Sequence, residues 1–301
     1  MKKYIIILLL ISISALVLFT GKLLDLEAER VVTQLYERNP DGIISGLGEK
    51  RYENHHEKAV ILIHGFLESS EVYDDYLEQL KELDLLDVYV PLLPFHGRDL
   101  QSAAHFSNQK ISDFLADYIG KIASNHKTVT VVGVSYGGAQ LISLDKEGRI
   151  PDNARIVLYA PAAYIISNTT PGKLKVYAYS LFRNYCNYES LGCSYPVLDS
   201  GDAVAREFLI NERNLRYKVL SAVKQLYTLD DQVRDHLAEI NHPYNLIIAK
   251  DDNRVSYPDL NRVCQQNDFC TALVYESGKH VIHAGRHKED LLKQIVRIAS
   301  E

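Results

Sequence analysis

The sequence predicts an α/β protein, a mostly parallel sheet with helices on both faces and an inserted helical cap. Three observations predict it. Short apolar runs alternate with segments of helical periodicity along most of the chain. The runs are continuous in Val, Ile and Leu rather than alternating with polar residues, as strands covered on both faces require. The alternation stops at Pro161 and resumes near residue 241, so residues 161–240 read as an insertion between two strands of one domain.

In chain order, the first strand is expected at 59–63 (Ala-Val-Ile-Leu-Ile). A helix over 72–83 places Tyr73, Tyr76, Leu77, Leu80 and Leu83 on one face. Within that helix Asp74 and Asp75 fall on the charged, solvated side. A short strand at 88–90 ends at Pro91, a second helix covers 111–122, and strands follow at 128–134 and 156–160. Residues 161–240 are rich in tyrosine and carry charged helical segments such as 216–227. Tyr164, Tyr177, Tyr179, Tyr185, Tyr188 and Tyr195 either line an apolar pocket or pack the cap itself. The last strands are expected at 244–248 and 271–275, with a closing helix over 288–299. The domain organisation is thus a core of 58–160 and 241–301 with a cap of 161–240.

Ahead of the core, Lys2 and Lys3 precede an uncharged stretch from Tyr4 to Gly21 rich in Ile and Leu. A helix of that length spans about 27 Å, close to the hydrocarbon core of a bilayer. Its end, Leu18-Phe19-Thr20-Gly21, has no small-x-small cleavage signal, which favours an uncleaved anchor over a cleaved secretory leader. The paired lysines stay cytoplasmic and everything after Lys22 lies outside. Residues 22–57 read as a polar tether, with a turn at Asn39-Pro40-Asp41-Gly42 and room for an edge hairpin. The four cysteines form two local pairs, Cys186 with Cys193 and Cys264 with Cys270, as expected of two small disulfide-closed loops in an exported protein. A net charge of -6, without a basic aromatic-laced patch, excludes nucleic acid as a natural partner.

The most specific motif is Gly133-Val134-Ser135-Tyr136-Gly137, placed after an apolar strand and before a small-residue helix start. Its glycines let strand and helix approach closely, and the corner lifts the Ser135 hydroxyl clear of the sheet. A serine hydroxyl is a weak nucleophile that needs a base, and the base needs a group to fix its tautomer. Loops after parallel strands open on one edge, so residues at successive strand ends can converge. After the 244–248 strand comes Lys250-Asp251-Asp252-Asn253-Arg254, where either aspartate can be the orienting acid. After the 271–275 strand comes Ser277-Gly278-Lys279-His280, where His280 is the base. His283 and His287 follow at helical spacing without a carboxylate or cysteine in register, which reads as solvent-facing histidines and no metal site.

The order Ser, Asp, His with these neighbours resembles the α/β-hydrolase superfamily, in particular its carboxylesterase and monoacylglycerol-lipase-like branch. Four motifs carry the resemblance across residues 57–301. His64-Gly65-Phe66 is similar to the His-Gly oxyanion loop, and Pro94-Phe95-His96-Gly97 to the Pro-x-x-Gly-His-Gly loop. The elbow at Ser135 is the third. The acid loop through Asp252 and Val255, with Ser277 to Ile282, is the fourth. The resemblance implies a triad of Ser135, Asp252 and His280, and an oxyanion hole from the Phe66 and Tyr136 amides. Three positions depart from it: Ala249 and Phe95 stand where the family has glycine, and Lys279 is inserted before the histidine.

What this implies is a membrane-anchored serine hydrolase acting on small-molecule or lipid carboxylic esters outside the cytoplasm, with no cofactor. An aminopeptidase or acyltransferase would use the same triad. A non-catalytic binding protein on the same fold is the rival from another class.

Overall fold

The computed structural model describes residues 2–187 and 217–301. Tyr188, Cys193, Tyr195 and Arg216 therefore lie outside the described residues. So does the expected loop closed by Cys186 and Cys193.

Among the described residues, seven strands form one sheet: β1 (Lys50–Tyr52), β2 (Lys58–Ile63), β3 (Asp87–Val90), β4 (Thr128–Val134), β5 (Ala154–Tyr159), β8 (Tyr244–Ala249) and β9 (Cys270–Tyr275). Their spatial order is β1-β3-β2-β4-β5-β8-β9, parallel throughout except for the antiparallel edge pair of β1 and β3. β2 and β4 are buried at nearly every position, so both faces of the sheet are covered, as their unbroken apolar sequences require. The covering helices are α2 (Asp74–Leu83), α4 (Asn108–Ala123), α5 (Tyr136–Lys146), α8 (Tyr257–Gln265) and α9 (Lys288–Ser300), with a short α3 at Leu100–Ala104. The Tyr76 hydroxyl of α2 donates to the Lys288 carbonyl at the start of α9, joining those two helices. Asp74 and Asp75 are not merely solvated: they pair with Lys50 and Lys288.

Between β5 and β8 the chain forms α6 (Thr170–Ser180), a two-stranded ribbon of β6 (Tyr185–Asn187) and β7 (Tyr217–Val219), and α7 (Leu220–Val233). The ribbon was not expected in a purely helical insertion, where 216–227 read as one charged helix. Tyr217 and Val219 favour extended backbone, and the helix begins only at Leu220. Buried Asp230 fastens the insertion to itself. It accepts from the Tyr164 and Ile165 amides at 2.7 and 3.2 Å, from Asn168 at 2.7 Å and from Arg234 at 2.7 Å.

The N-terminus departs from the expected tether. One helix, α1, runs from Lys2 to Leu35. Its first part is long and apolar enough to cross a membrane and is almost wholly exposed. Gly21, Asp25, Ala28 and Val32 recur every three or four residues and are buried, a stripe that docks the second half of α1 on the globular body. The expected turn is present: the Asn39 side chain accepts from the Asp41 and Ile43 amides.

Cys264 and Cys270 form a disulfide closing the end of α8 on the start of β9. Cys186 is not a free thiol.

Candidate active site

Parallel register brings the carboxyl ends of β2, β4, β5, β8 and β9 to one edge. Ile63 pairs with Gly133, Val134 with Tyr159 and Ala249 with Tyr275. The loops leaving those ends carry every residue singled out for chemistry.

Ser135 occupies the corner between β4 and α5 with φ 49° and ψ −108°, a conformation that costs a non-glycine residue about 1–3 kcal/mol. Three backbone bonds hold it there. Its N–H donates to the Tyr159 carbonyl at 2.9 Å, and its carbonyl accepts from Ala162 at 2.7 Å and Ala139 at 3.0 Å. Close packing explains the elbow glycines. A Cβ on Gly133 would lie 2.7 Å from the Gly137 backbone, and one on Gly137 would lie 2.8 Å from the His64 carbonyl oxygen.

His280 is delivered by a turn in which Gly278 and the inserted Lys279 take φ values of 145° and 54°. The left-handed Lys279 absorbs the extra residue, so the histidine still reaches the serine. His280 Nε2 lies 2.9 Å from Ser135 Oγ, and Nδ1 lies 2.9 Å from Asp252 Oδ2. If the serine hydroxyl donates to Nε2, the ring's proton must sit on Nδ1 and point at the aspartate, the tautomer a general base requires.

Asp252 is buried to the carboxylate. Burial alone would raise its pKa. The charge and hydrogen bond of His280, with the Val255 and Arg254 amides on Oδ1, outweigh it and hold the carboxyl below the usual range. Asp251 faces elsewhere: Oδ1 accepts from the Lys279 amide at 2.9 Å and Oδ2 pairs with its ammonium at 3.6 Å. The geometry gives His280 to Asp252 and the turn to Asp251.

The loop after β2 abuts the serine, since a Cβ on Gly65 would stand 3.4 Å from Ser135 Cβ. Phe66 follows in this loop, and Tyr136 follows Ser135 on α5. His64 is fully buried and pins the loop. The Leu93 amide donates to Nε2 at 3.1 Å, which leaves Nδ1–H to donate to the Gly65 carbonyl at 3.0 Å. Burial and the neighbouring His96 ring hold its pKa well below the ordinary histidine value, so it is a neutral bracket. The loop of Pro94 to Gly97 packs behind it, with His96 centred 4.8 Å from the His64 ring. Phe95, standing where the family has glycine, adopts φ 70°.

Two contributors to this geometry were not legible beforehand. The Glu68 carboxylate accepts from the Gly65 amide at 2.7 Å, fixing the peptide next to Phe66. Burial raises its pKa, while that hydrogen bond and the charge of His280 pull against it. Its signal is an acid three residues past a glycine in the loop, a spacing that lets the side chain fold back. The Tyr159 hydroxyl donates to the His280 carbonyl at 3.3 Å and accepts from the His283 amide at 3.1 Å, bracing the histidine loop. His283 itself corrects an expectation. It is buried against Tyr159, not solvent-facing, because a short turn at Ile282–Ala284 folds it under the sheet edge before α9 begins. His287 is half-buried.

Of the insertion's tyrosines, Tyr177 and Tyr179 are exposed on α6, Tyr164 is half-buried, and Tyr185 is buried with its hydroxyl on Glu29 of α1. The insertion borders the acid loop: Ile165 bridges to Val255, and the Ile166 amide donates to the Arg254 carbonyl at 2.8 Å.

A parallel sheet of this order with a nucleophile-type elbow on its central strand defines an α/β hydrolase. The model of the alpha/beta hydrolase family matches residues 60–293, and the chain belongs to that family. No curated protein sequence matches it. Among solved structures it is similar to the metagenome-derived lipolytic enzymes LipS and LipT, with 15% identity and a TM-score of 0.69 over 85% of this chain and 98% of that one. A soluble variant of monoglyceride lipase from Saccharomyces cerevisiae, in complex with a substrate analog, gives 14% identity and a TM-score of 0.66 over 88% and 99%. The monoacylglycerol lipase of Paleococcus ferrophilus gives 17% and 0.65 over 84% and 97%.

Proposed function

We propose that the chain is a serine hydrolase that cleaves carboxylic esters outside the cytoplasm, held to the membrane by α1. The observation that carries this reading is the unbroken chain of 2.9 Å contacts from Ser135 Oγ through His280 to Asp252. Ser135 attacks the ester carbonyl while His280 takes its proton. The tetrahedral oxyanion rests on the Phe66 and Tyr136 amides, each worth about 3 kcal/mol. His280 then protonates the departing alcohol, and a water molecule repeats the sequence on the acyl-enzyme. Asp252 holds the imidazolium throughout. The apolar length of α1 and the Cys264–Cys270 disulfide support placement beyond the cytoplasm.

An aminopeptidase would need a carboxylate free to meet a substrate ammonium. Glu68, the acid of the oxyanion loop, is held by the Gly65 amide and shifted toward its neutral form by burial, so it is unsuited to that role. The test is fluorophosphonate labelling of the full chain in detergent beside Ser135→Ala and His280→Ala, followed by an ester chain-length series. Labelling of the parent chain alone is expected. A folded parent that takes no label overturns the reading in favour of a binding protein.

A further inference from the structure

We propose that the outward apolar face of the insertion, formed by Leu174, Tyr177, Leu181 and Phe182, rests in the outer interface of the phospholipid bilayer that α1 enters. The inference rests on the reading of α1 as a membrane anchor.

None of the residues of α6 is buried, unlike every other long helix of the body. Leu174 is 63% exposed, Tyr177 55%, Leu181 70% and Phe182 43%. Positions 174, 177 and 181 share one face of a helix, so these side chains form a patch rather than scattered singles.

What covers the patch is set by α1, which is fastened beside it. A Cβ on Gly21 would stand only 1.9 Å from the Phe182 carbonyl oxygen, so helix and turn touch backbone to backbone. Four residues on, the buried Asp25 carboxylate accepts from the Asn184 amide at 2.7 Å and the Tyr185 amide at 3.3 Å, and pairs with Arg183 at 3.6 Å. Depth follows from length. Counting from Lys3 at the inner boundary, a hydrocarbon core of about 30 Å is crossed in about 20 residues, which ends near Leu23. The Gly21 contact therefore puts Phe182 at the outer boundary of that core. The lipid-facing side of α1 agrees, because Leu23, Leu24 and Leu26 stay about half exposed beside the contact. Lys22, next to Gly21, is exposed at this level and suited to lipid phosphates.

Esters that partition into the outer leaflet would then reach the insertion laterally, at the segment whose start is bonded to the acid loop through Ile166 and Arg254. The substrate class is membrane-resident amphiphilic esters.

The chain contains no tryptophan, so a single introduced one reports its own surroundings. The full chain is reconstituted in phosphatidylcholine vesicles with and without lipids brominated near the carbonyl end of the acyl chain. Leu181→Trp is compared with Phe19→Trp in the anchor and Phe269→Trp on an exposed loop. The expected result is blue-shifted, bromine-quenched emission from Leu181→Trp, and none from Phe269→Trp. In parallel, Leu174→Ser with Leu181→Ser should lower hydrolysis of vesicle-borne ester about ten-fold, while turnover of a water-soluble ester is unchanged. Quenching of Phe19→Trp without quenching of Leu181→Trp overturns the inference and leaves the anchor standing. Absence of both overturns the anchor as well. A blue shift at Leu181→Trp without lipid quenching overturns it in favour of a second copy of the chain covering the face.

Discussion

The Lys279 amide donates to the Asp251 carboxylate at 2.9 Å, while the neighbouring Asp252 meets His280 at the same distance. Under the proposed function these two adjacent acids have separate tasks, one shaping the turn that presents the base and the other orienting the base itself. Replacement should separate them. In Asp252→Asn the amide oxygen stays with the Arg254 and Val255 amides and the NH2 faces Nδ1, which favours the wrong imidazole tautomer and should lower kcat by about 10⁴-fold. Asp251→Ala loosens a strained turn and should cost about ten-fold, through small displacements of the histidine. Steady-state kinetics of both variants on one short-chain ester checks the ordering, and an equal loss in the two would contradict it.

Under the same reading Glu68 would act on the reaction through the Gly65 peptide, whose amide donates to its carboxylate. Without its carboxylate the Gly65 amide loses its acceptor, and the adjoining Phe66 amide loses a fixed direction. Glu68→Ala is expected to lower kcat about ten-fold with KM little changed, because an oxyanion donor acts on the transition state and not on the bound ester. Glu68→Gln keeps an acceptor and should recover most of the rate. A change confined to KM would assign Glu68 to substrate binding.

Much of this architecture is legible in the sequence because burial on both faces leaves a direct mark. The apolar runs at 59–63, 128–134 and 244–248 each became a strand of the sheet. Ser135 is equally legible, since Gly133 and Gly137 stand where backbone meets backbone. Long-range polar contacts leave no such mark. Nothing in a sequence pairs Asp25 with the Asn184 amide, so the docking of residues 22–35 read as a polar tether. His283 looked like an exposed helical histidine because its partner, Tyr159, comes from a strand 124 residues earlier. Edge structure was expected within 22–57 only as a hairpin, and the edge strand Lys50–Tyr52 is too short and too charged to be located by its sequence.

Asp230 ties the insertion together, and its carboxylate is wholly buried. Burial pushes its pKa up, against Asn168, Arg234 and the two amides that it accepts from. Removing the carboxylate strands those donors, while Arg234 keeps an exposed partner in Asp231 at 2.9 Å. Asp230→Ala should therefore cost about 3 kcal/mol, at the lower end for a broken buried pair. Urea titration measures the loss, and faster proteolysis within the insertion is expected with it. A change below about 0.5 kcal/mol, the range of ordinary surface substitutions, would show that the insertion is held by other contacts.

Acid sensitivity should come from histidines outside the reaction. Burial drives His96 down to about 4 and His283 down to about 3, and His64 well below its model-compound value of 6.5. Each is neutral when folded and takes a proton near pH 6.5 when unfolded. The unfolded state therefore binds more protons between about pH 6.5 and 4, and stability must fall as pH falls through that window. At pH 5 the loss is about 2 kcal/mol for each of His96 and His283, with His64 adding in the same direction, a large share of the about 5–15 kcal/mol typical of a domain. Glu68 and Asp230, whose carboxyls are raised, protonate first in the folded state and offset part of this at the acid end. Denaturant unfolding at pH 7.5, 6 and 5 should show stability falling with a slope equivalent to two to three protons taken up on unfolding. His283→Gln, which keeps a polar partner for the Tyr159 hydroxyl, should remove about one proton from that slope. A stability that holds level to pH 5 would mean that these sites open to water before the fold is lost.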